Sequence, residues 1–479
     1  MADGPVVFGQ DEGHGDGLLR IGTRGRMMAD REPPEPERPN ARTRAVDRLK
    51  NASGVLPRLA EARLRHREGD RALRAALGDI LAEGAVEIGF QPLVELATRS
   101  VVGWEALARG PEGTPLRRPD RLFAVARTTH RVEELDWLCQ RRALQGALAA
   151  GPSQSHTLFL NMEPDSTGFM PLELRTLFGQ ATAELTVAVE VTERASRDSP
   201  AALLGHVADM RAVGCAIALD DVGTEPGSLA MMAMLAPEVV KLDLEHLSSL
   251  PEERMAEIVE AVRAQAAETG ATLVFERIER PEQVELATSL GGRLGQGFLF
   301  GRRASLEEAP EPPASRIVTP VWRPDPRDEA PYALVASRHT PRQGSSQEVA
   351  ALGRELEDEA LRAGDEAVFV AAVGEDANFT LELRERWSRL ARSVAFCGVV
   401  GRDLASEPAP GVRGGRLSSA DRLVGERSIA VVTPRFATVL AAHDLGPEEP
   451  PETRVSYVLS KDRDLATHAA AALISRIAG

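Results

Sequence analysis

Two adjacent acids close an apolar run in Cys215-Ala-Ile-Ala-Leu-Asp220-Asp221-Val-Gly223. No other stretch of this chain points so directly to chemistry. An apolar run that stops at acids and a glycine reads as a buried parallel strand opening into a loop. Two carboxylates at the mouth of such a strand repel each other and are costly to desolvate unpaired. A divalent cation resolves both problems, because oxygen-rich acidic sites suit magnesium, manganese or calcium. The plainer alternative is that one Asp caps the next helix and the other is solvated.

The choice turns on the polar residues that end similar runs: Glu105 and Arg109, then Asn161, Glu190 with Glu193, Lys241 with Asp243, Glu276 with Glu279, and Gln296. If these share one rim, Glu105, Glu190, Asp220, Asp221 and Glu276 bring five negative charges against Lys241 as the one inward cation. A desolvated mouth cannot keep that imbalance without bound cations or large pKa shifts. Asn161 adds a neutral oxygen ligand. The set fits a two-metal centre for phosphate-ester cleavage, in which both ions hold a nucleophilic water and the phosphate.

The elements that would gather these residues are short apolar runs alternating with helical patterns. The runs are Glu87–Leu96, Val101–Leu107, Thr157–Glu163, Leu185–Glu193, Cys215–Val222, Glu238–Leu244, Ala271–Glu279 and Arg293–Gly301. Helical stretches such as Leu203–Val213, Pro251–Thr269 and Pro281–Leu290 separate most of them, and only Ala97-Thr-Arg-Ser100 separates the first two. Strand then helix, repeated, implies a parallel sheet. Eight such runs predict an α/β fold, a (β/α)8-type barrel with one antiparallel strand at the opening hairpin, whose function sits at the carboxyl ends of the strands.

The 479 residues allow two or three domains. A net charge of −15 argues against DNA binding, which wants a basic face. Cys139, Cys215 and Cys397 sit in apolar contexts and read as buried free thiols. The chain contains no long apolar run of transmembrane type and no signal-peptide core at its start, so no membrane association and a cytoplasmic location are expected. Residues 1–50, rich in Gly, Pro, Arg and Asp, read as disordered, and 51–84 as a helical lead-in. The barrel takes 85–304, a Pro-rich linker 305–331 and a smaller α/β domain 332–479. Candidate strands in that last domain are Tyr332–Ala336, Ala367–Val373, Ser393–Val400 and Ser428–Thr433, with helices at Val349–Leu361 and Phe379–Ala391.

Residues 87–302 resemble the EAL domain family of cyclic-di-GMP phosphodiesterases. The namesake motif is Glu105-Ala106-Leu107, preceded by Phe90-Gln91-Pro92. It is followed by Asn161, Glu190-Val-Thr-Glu193, Asp220-Asp221, Lys241-Leu-Asp243, the Glu276/Glu279 pair and Gln296-Gly-Phe-Leu-Phe300. The resemblance implies two Mg2+ or Mn2+ ions. Glu105, Asn161, Glu190 and Asp220 would hold one; Asp220 and Asp221 the other; Glu276 would support the centre or act as base. It further implies that Lys241 positions the attacking water, and that Gln91, Leu107, Arg109 and Gln296 meet the substrate. Glu193 would steady the loop after strand five, and Asp243 and Glu279 would orient the inner ligands. Cyclic-di-GMP would be opened to linear pGpG, and homodimerisation through the barrel is possible.

Three departures from the family pattern bear on this. Val222 stands where the family has Phe, and the loop Thr224-Glu-Pro-Gly-Ser228 is altered. In the family that loop couples dimerisation to metal binding. Arg277 replaces a Gly; it could clamp a phosphate or obstruct a metal. Phe275 could stack on a guanine or pack in the core. Residues 332–479 resemble the DICT domain, a small sensory module, through Phe396-Cys-Gly-Val-Val-Gly401, Pro410-Gly-Val-Arg413-Gly-Gly, Asp421-Arg-Leu, Ile429–Pro434 and Leu440–Gly446. The chain is therefore expected to be a cyclic-di-GMP-specific phosphodiesterase regulated by a sensory domain. The alternatives are a catalytically weak or inactive cyclic-di-GMP receptor, or a scaffold without ligand.

Overall fold

The computed structural model describes residues 69–477, apart from 164–169, 193–199, 224–227, 308–309, 312, 314, 447–448 and 453. The expected disordered segment 1–50 and most of the helical lead-in lie outside the described residues, as do Glu193 and Thr224–Gly227. A helix over 69–83, α1, precedes the first strand. Eight strands then close a barrel in chain order: β1 (Glu87–Glu95), β2 (Val101–Arg109), β3 (Thr157–Asn161), β4 (Thr186–Thr192), β5 (Ala216–Asp220), β6 (Val239–Asp243), β7 (Thr272–Glu276) and β8 (Leu294–Gln296). β1 runs antiparallel to both β2 and β8, and the remaining pairs are parallel. The helices between them are α2 (Pro119–Thr128), α3 (Val132–Ala149), α4 (Leu172–Glu184), α5 (Pro200–Ala212), α6 (Ser228–Leu235), α7 (Leu244–Ser249), α8 (Glu252–Thr269) and α9 (Pro281–Ser289).

The period-two alternation of a strand sorts its residues into two faces. Ile217 and Leu219 of β5, Val240 and Leu242 of β6, and Leu273 and Phe275 of β7 belong to the packing layer under the helices. Phe159, Ala188, Ala218, Val239, Val274 and Leu294 fill the barrel interior. Two residues further along each of those six strands stand Asn161, Glu190, Asp220, Lys241, Glu276 and Gln296. An apolar layer thus carries a polar layer at the carboxyl ends. The same interior cluster includes Val318 from the Pro-rich stretch, whose backbone carbonyl lies 3.5 Å from Thr186 Oγ1.

The second half is a seven-stranded mixed sheet of order β12-β11-β10-β13-β14-β15-β9. Its strands are β9 (Arg342–Gly344), β10 (Val368–Glu375), β11 (Phe396–Arg402), β12 (Arg413–Arg416), β13 (Glu426–Val432), β14 (Ala437–Asp444) and β15 (Val455–Ser460). Its helices are α10 (Pro331–Ala336), α11 (Ser346–Ala363), α12 (Leu381–Leu390) and α13 (Arg463–Ile474). Phe369, Ala371, Val373, Val431 and Leu440 pack under α11 and α12. Val368, Val370, Ala372, Ala430 and Val432 face α13.

Nine of the 12 residues of α13 are buried, because it also packs on α5 and α6 of the barrel. Its run of Ala469–Ala472 lets two layers approach one helix closely. The ion pairs Arg327–Asp209 at 2.7 Å and Arg463–Glu268 at 3.7 Å flank this contact. Tyr332–Ala336, expected as a strand, is the helix α10: Pro331 at its first position pre-sets helical φ. No described helix is long and apolar enough to cross a membrane.

Candidate metal centre

Lys241 sits at the centre of the polar layer, 1% exposed. Its Nζ lies 2.6 Å from Glu190 Oε1 and 2.6 Å from Glu276 Oε1, 3.7 Å from Asp220 Oδ1 and 3.8 Å from Glu105 Oε2. Four strands therefore direct four carboxylates at one ammonium. Glu105 is fixed from both sides: Asn161 Nδ2 donates to its Oε1 at 3.0 Å and Gln296 Nε2 to its Oε2 at 2.6 Å. The close turn after Gln296 requires glycine. At Gly297 φ is +157°, and a Cβ would lie 2.0 Å from the Ile278 carbonyl oxygen.

Burial pushes the Glu190 carboxyl well above the usual range; Glu105, Asp220 and Glu276 add to the rise, and Lys241 opposes it. Burial likewise lifts Glu276 to about 7, against the pull of Lys241. Burial also works against charge on Lys241, but the surrounding carboxylates outweigh it and hold its pKa well above the usual value. The lysine is thus charged, while the acids around it cannot all ionise together and titrate as a group. Asp221 is raised by burial first and by Asp220 next.

The donor set fits divalent ions on two further observations. Glu190 Oε2 and Gln296 Oε1 are buried with no hydrogen-bond partner among the described residues, which is costly unless something else satisfies them. Asp220, Asp221 and Glu276 each offer an oxygen, all within 4.8 Å of one another. Asp221 takes a left-handed φ of 56°, a strained conformation of the kind that clusters at functional sites.

The remaining expected residues divide. Leu107 and Arg109 line a cavity of about 310 Å3 beside Glu105 and Asn161. Gln91 Nε2 donates to the Gly301 carbonyl at 3.4 Å. Asp243 turns away from the lysine. Its Oδ1 accepts from the backbone N–H groups of Glu245 and His246 and so caps α7, and its Oδ2 meets Arg277 Nε at 2.8 Å. Arg277 also reaches Glu245 Oε2 at 3.1 Å, so it is engaged at the start of α7. Glu279 is exposed on the turn before α9, and among the described residues no ion pair joins it to the Lys241 cluster. Phe275 is a core ring with no exposure, packed over Gly292.

Among the polar cavity residues that escaped sequence reasoning are Asp136 and Gln140. Asp136 is 2% exposed and accepts from Gln140 Nε2 at 3.0 Å and from the Glu163 N–H at 3.3 Å. The available signal was an i, i+4 polar pair on the face of α3 that also carries Leu135, Cys139 and Ala143.

The EAL domain family matches residues 70–303. Cyclic di-GMP phosphodiesterase NbdA of Pseudomonas aeruginosa is 30% identical over 243 residues, which cover 48% of this chain and 31% of that protein. Cyclic di-GMP phosphodiesterase RocR of the same organism is 29% identical over 238 residues, covering 46% of this chain and 58% of that protein. The chain spans less than two thirds of either relative. A solved structure of Bacillus subtilis YkuI, an EAL-domain protein in complex with substrate c-di-GMP and calcium, is 25% identical. That match covers 48% of this chain and 57% of that one at a TM-score of 0.41.

Proposed function

Residues 70–303 of this chain are an EAL domain, and from that premise we propose that it hydrolyses cyclic-di-GMP to linear pGpG at the Lys241 cluster. One arrangement carries the proposal: Glu105, Glu190, Asp220 and Glu276 converge on a single buried ammonium, leaving an excess of negative charge that divalent ions would balance. Two Mg2+ or Mn2+ ions, held by Glu105, Asn161, Glu190, Asp220 and Asp221, would supply Lewis acidity and an acidified water.

The chain's own residues do the rest. Asn161 and Gln296 lock the Glu105 carboxylate in one orientation, so it needs little reorganisation on binding. Lys241 is a fixed charged donor that steadies the incoming oxygen and the charge growing on the phosphate. Glu276, held 2.6 Å from Lys241 Nζ at the edge of the cluster, is the carboxylate placed to take the water proton. Arg109 borders the cavity as a phosphate partner, and the buried Asp136 carboxylate is an acceptor for a guanine N–H edge. Hydrolysis opens one phosphodiester: water oxygen joins phosphorus, and the departing ribose oxygen gains a proton. The C-terminal sheet would regulate this through α13, which packs on α6, the helix that follows Asp220 and Asp221 in the chain.

The test is direct. Full-length protein is incubated with cyclic-di-GMP and Mg2+ or Mn2+, and pGpG is sought by chromatography. Turnover that is lost in Glu105→Ala and Lys241→Ala supports the enzyme. Tight binding without turnover in the parent protein overturns hydrolysis in favour of a receptor, and absence of binding overturns both.

A further inference from the structure

The C-terminal sheet contains a second cavity, of about 330 Å3, remote from the Lys241 cluster in the chain and lined by none of its residues. It lies where the two halves of the sheet meet. β10 pairs in parallel with β11 on one side and antiparallel with β13 on the other. The chain leaving the carboxyl end of β10 turns into α12, while β13 and β14 continue the sheet the other way. A crevice at the carboxyl end of a parallel strand, where the topology changes, is where open α/β sheets hold ligands.

Val349, Val373, Ile429 and Leu440 supply apolar walls, and Trp387 and Leu383 of α12 close one side. Two guanidinium groups border the same space, Arg386 and Arg427. Arg386 is held rigid. Its Nε and Nη2 both donate to the buried carboxylate of Glu357, the second at 3.0 Å, and Trp387 Nε1 donates to that carboxylate at 2.9 Å. Arg427 is only partly satisfied. Its Nη2 donates to Asp444, whereas its Nε is buried with no hydrogen-bond partner among the described residues. A buried donor without an acceptor is destabilising, and an anionic oxygen would relieve it at charge-assisted strength.

We propose that this cleft binds a small organic anion with a largely apolar body, an aryl or alkyl carboxylate, its body against Val349, Ile429 and Leu440 and its charge at Arg427. The walls select against a compact inorganic ion, which would leave most of the apolar cavity unfilled.

The probe is 8-anilinonaphthalene-1-sulfonate, an aryl anion, titrated by fluorescence into the full-length protein beside its neutral counterpart N-phenyl-1-naphthylamine. Decanoate serves as competitor. The anionic probe is expected to bind saturably, decanoate to displace it, and the neutral probe to bind about tenfold more weakly. Arg427→Gln should weaken the anionic probe about tenfold. Ala350 is exposed at the rim of the cleft, so Ala350→Trp blocks the mouth without disturbing the core and should abolish binding. Melting curves matching the parent establish that both variants are folded; if Arg427→Gln is not, Ala350→Trp alone decides. No binding to the parent, or unchanged binding in a folded Ala350→Trp, overturns the site. Equal affinity for the neutral probe, or no displacement by decanoate, overturns the ligand class.

Discussion

Two residues of chain, Val239 and Val240, separate members of two buried charge clusters built on different rules. Glu238, just before β6, pairs with Arg211 one to one at 3.2 Å, both side chains less than a tenth exposed. Arg211 Nη2 also donates to the carbonyls of Leu235 and Ala236, and Glu238 Oε2 accepts from the Ile217 N–H at 2.7 Å. Charge is cancelled, and each member is tied to backbone. Lys241, inside β6, faces four carboxylates. The balanced pair is a structural joint between α5 and the strand. The unbalanced set costs stability by itself, and that cost is what a site for cations would carry.

The largest expected effect tests the unbalanced cluster. Lys241→Met should lower pGpG formation at least about a thousandfold, roughly 4 kcal/mol of barrier, because the fixed donor at the reacting centre is gone. Turnover within tenfold of the parent would remove Lys241 from the chemistry and break the contrast.

Next is the balanced pair. Glu238→Gln leaves the Arg211 guanidinium buried without its counter-charge and should destabilise the fold by about 3 kcal/mol. Urea unfolding should record this, with turnover per folded molecule unchanged and no recovery on adding Mn2+. Recovery by Mn2+ would show that the two clusters are energetically one.

Much of the metal-centre contrast was legible from spacing. Each of β4 to β7 carries an apolar inward residue two positions before a polar one, Ala188, Ala218, Val239 and Val274, so the run ends alone placed Glu190, Asp220, Lys241 and Glu276 on one rim. What a strand end cannot reveal is which way a long side chain turns. Arg277 engages Asp243 and Glu245, and Asp243 spends its oxygens on α7. Both outcomes depend on a helix start that only tertiary placement supplies. Asp136 and Gln140 were hidden because a polar pair within a helix looks solvated until the helix is docked. In the second half, Val455–Ser460 offered a β-branched run that went unread. The Ala-rich Ala437–Asp444 carried little strand propensity of its own and is held by its neighbours β13 and β15.

Another buried acid sharpens the comparison by having no ion pair among the described residues. Glu426 is 5% exposed, accepts from the Tyr332 N–H at 3.1 Å and lies beside His443, while Arg476 pairs with Asp421 instead. Burial lifts its pKa to about 7. Because the folded value lies above the unfolded one, its contribution is fully present below about pH 4.5 and is lost as pH rises through about 7. Stability should therefore fall between these limits by on the order of 3 kcal/mol. Glu426→Gln should flatten that slope in urea titrations from pH 5 to 8, and an unchanged slope would assign it to other groups.

The smallest effect concerns the rim. Arg277 is 61% exposed and holds φ at 56°, a conformation that favours glycine. Arg277→Gly relieves about 1 kcal/mol of backbone strain. It also gives up an exposed ion pair with Asp243 worth less than about 1 kcal/mol, and adds chain entropy to the unfolded state. The terms oppose one another, so unfolding free energy should move by less than about 1 kcal/mol. Turnover should stay within about threefold, since a charge this exposed is screened by solvent. A tenfold change in turnover at unchanged stability would place Arg277 within reach of the reacting phosphate. The charge count around Lys241 would then have to include a second cation, and the imbalance that separates this cluster from the Arg211–Glu238 pair would shrink accordingly.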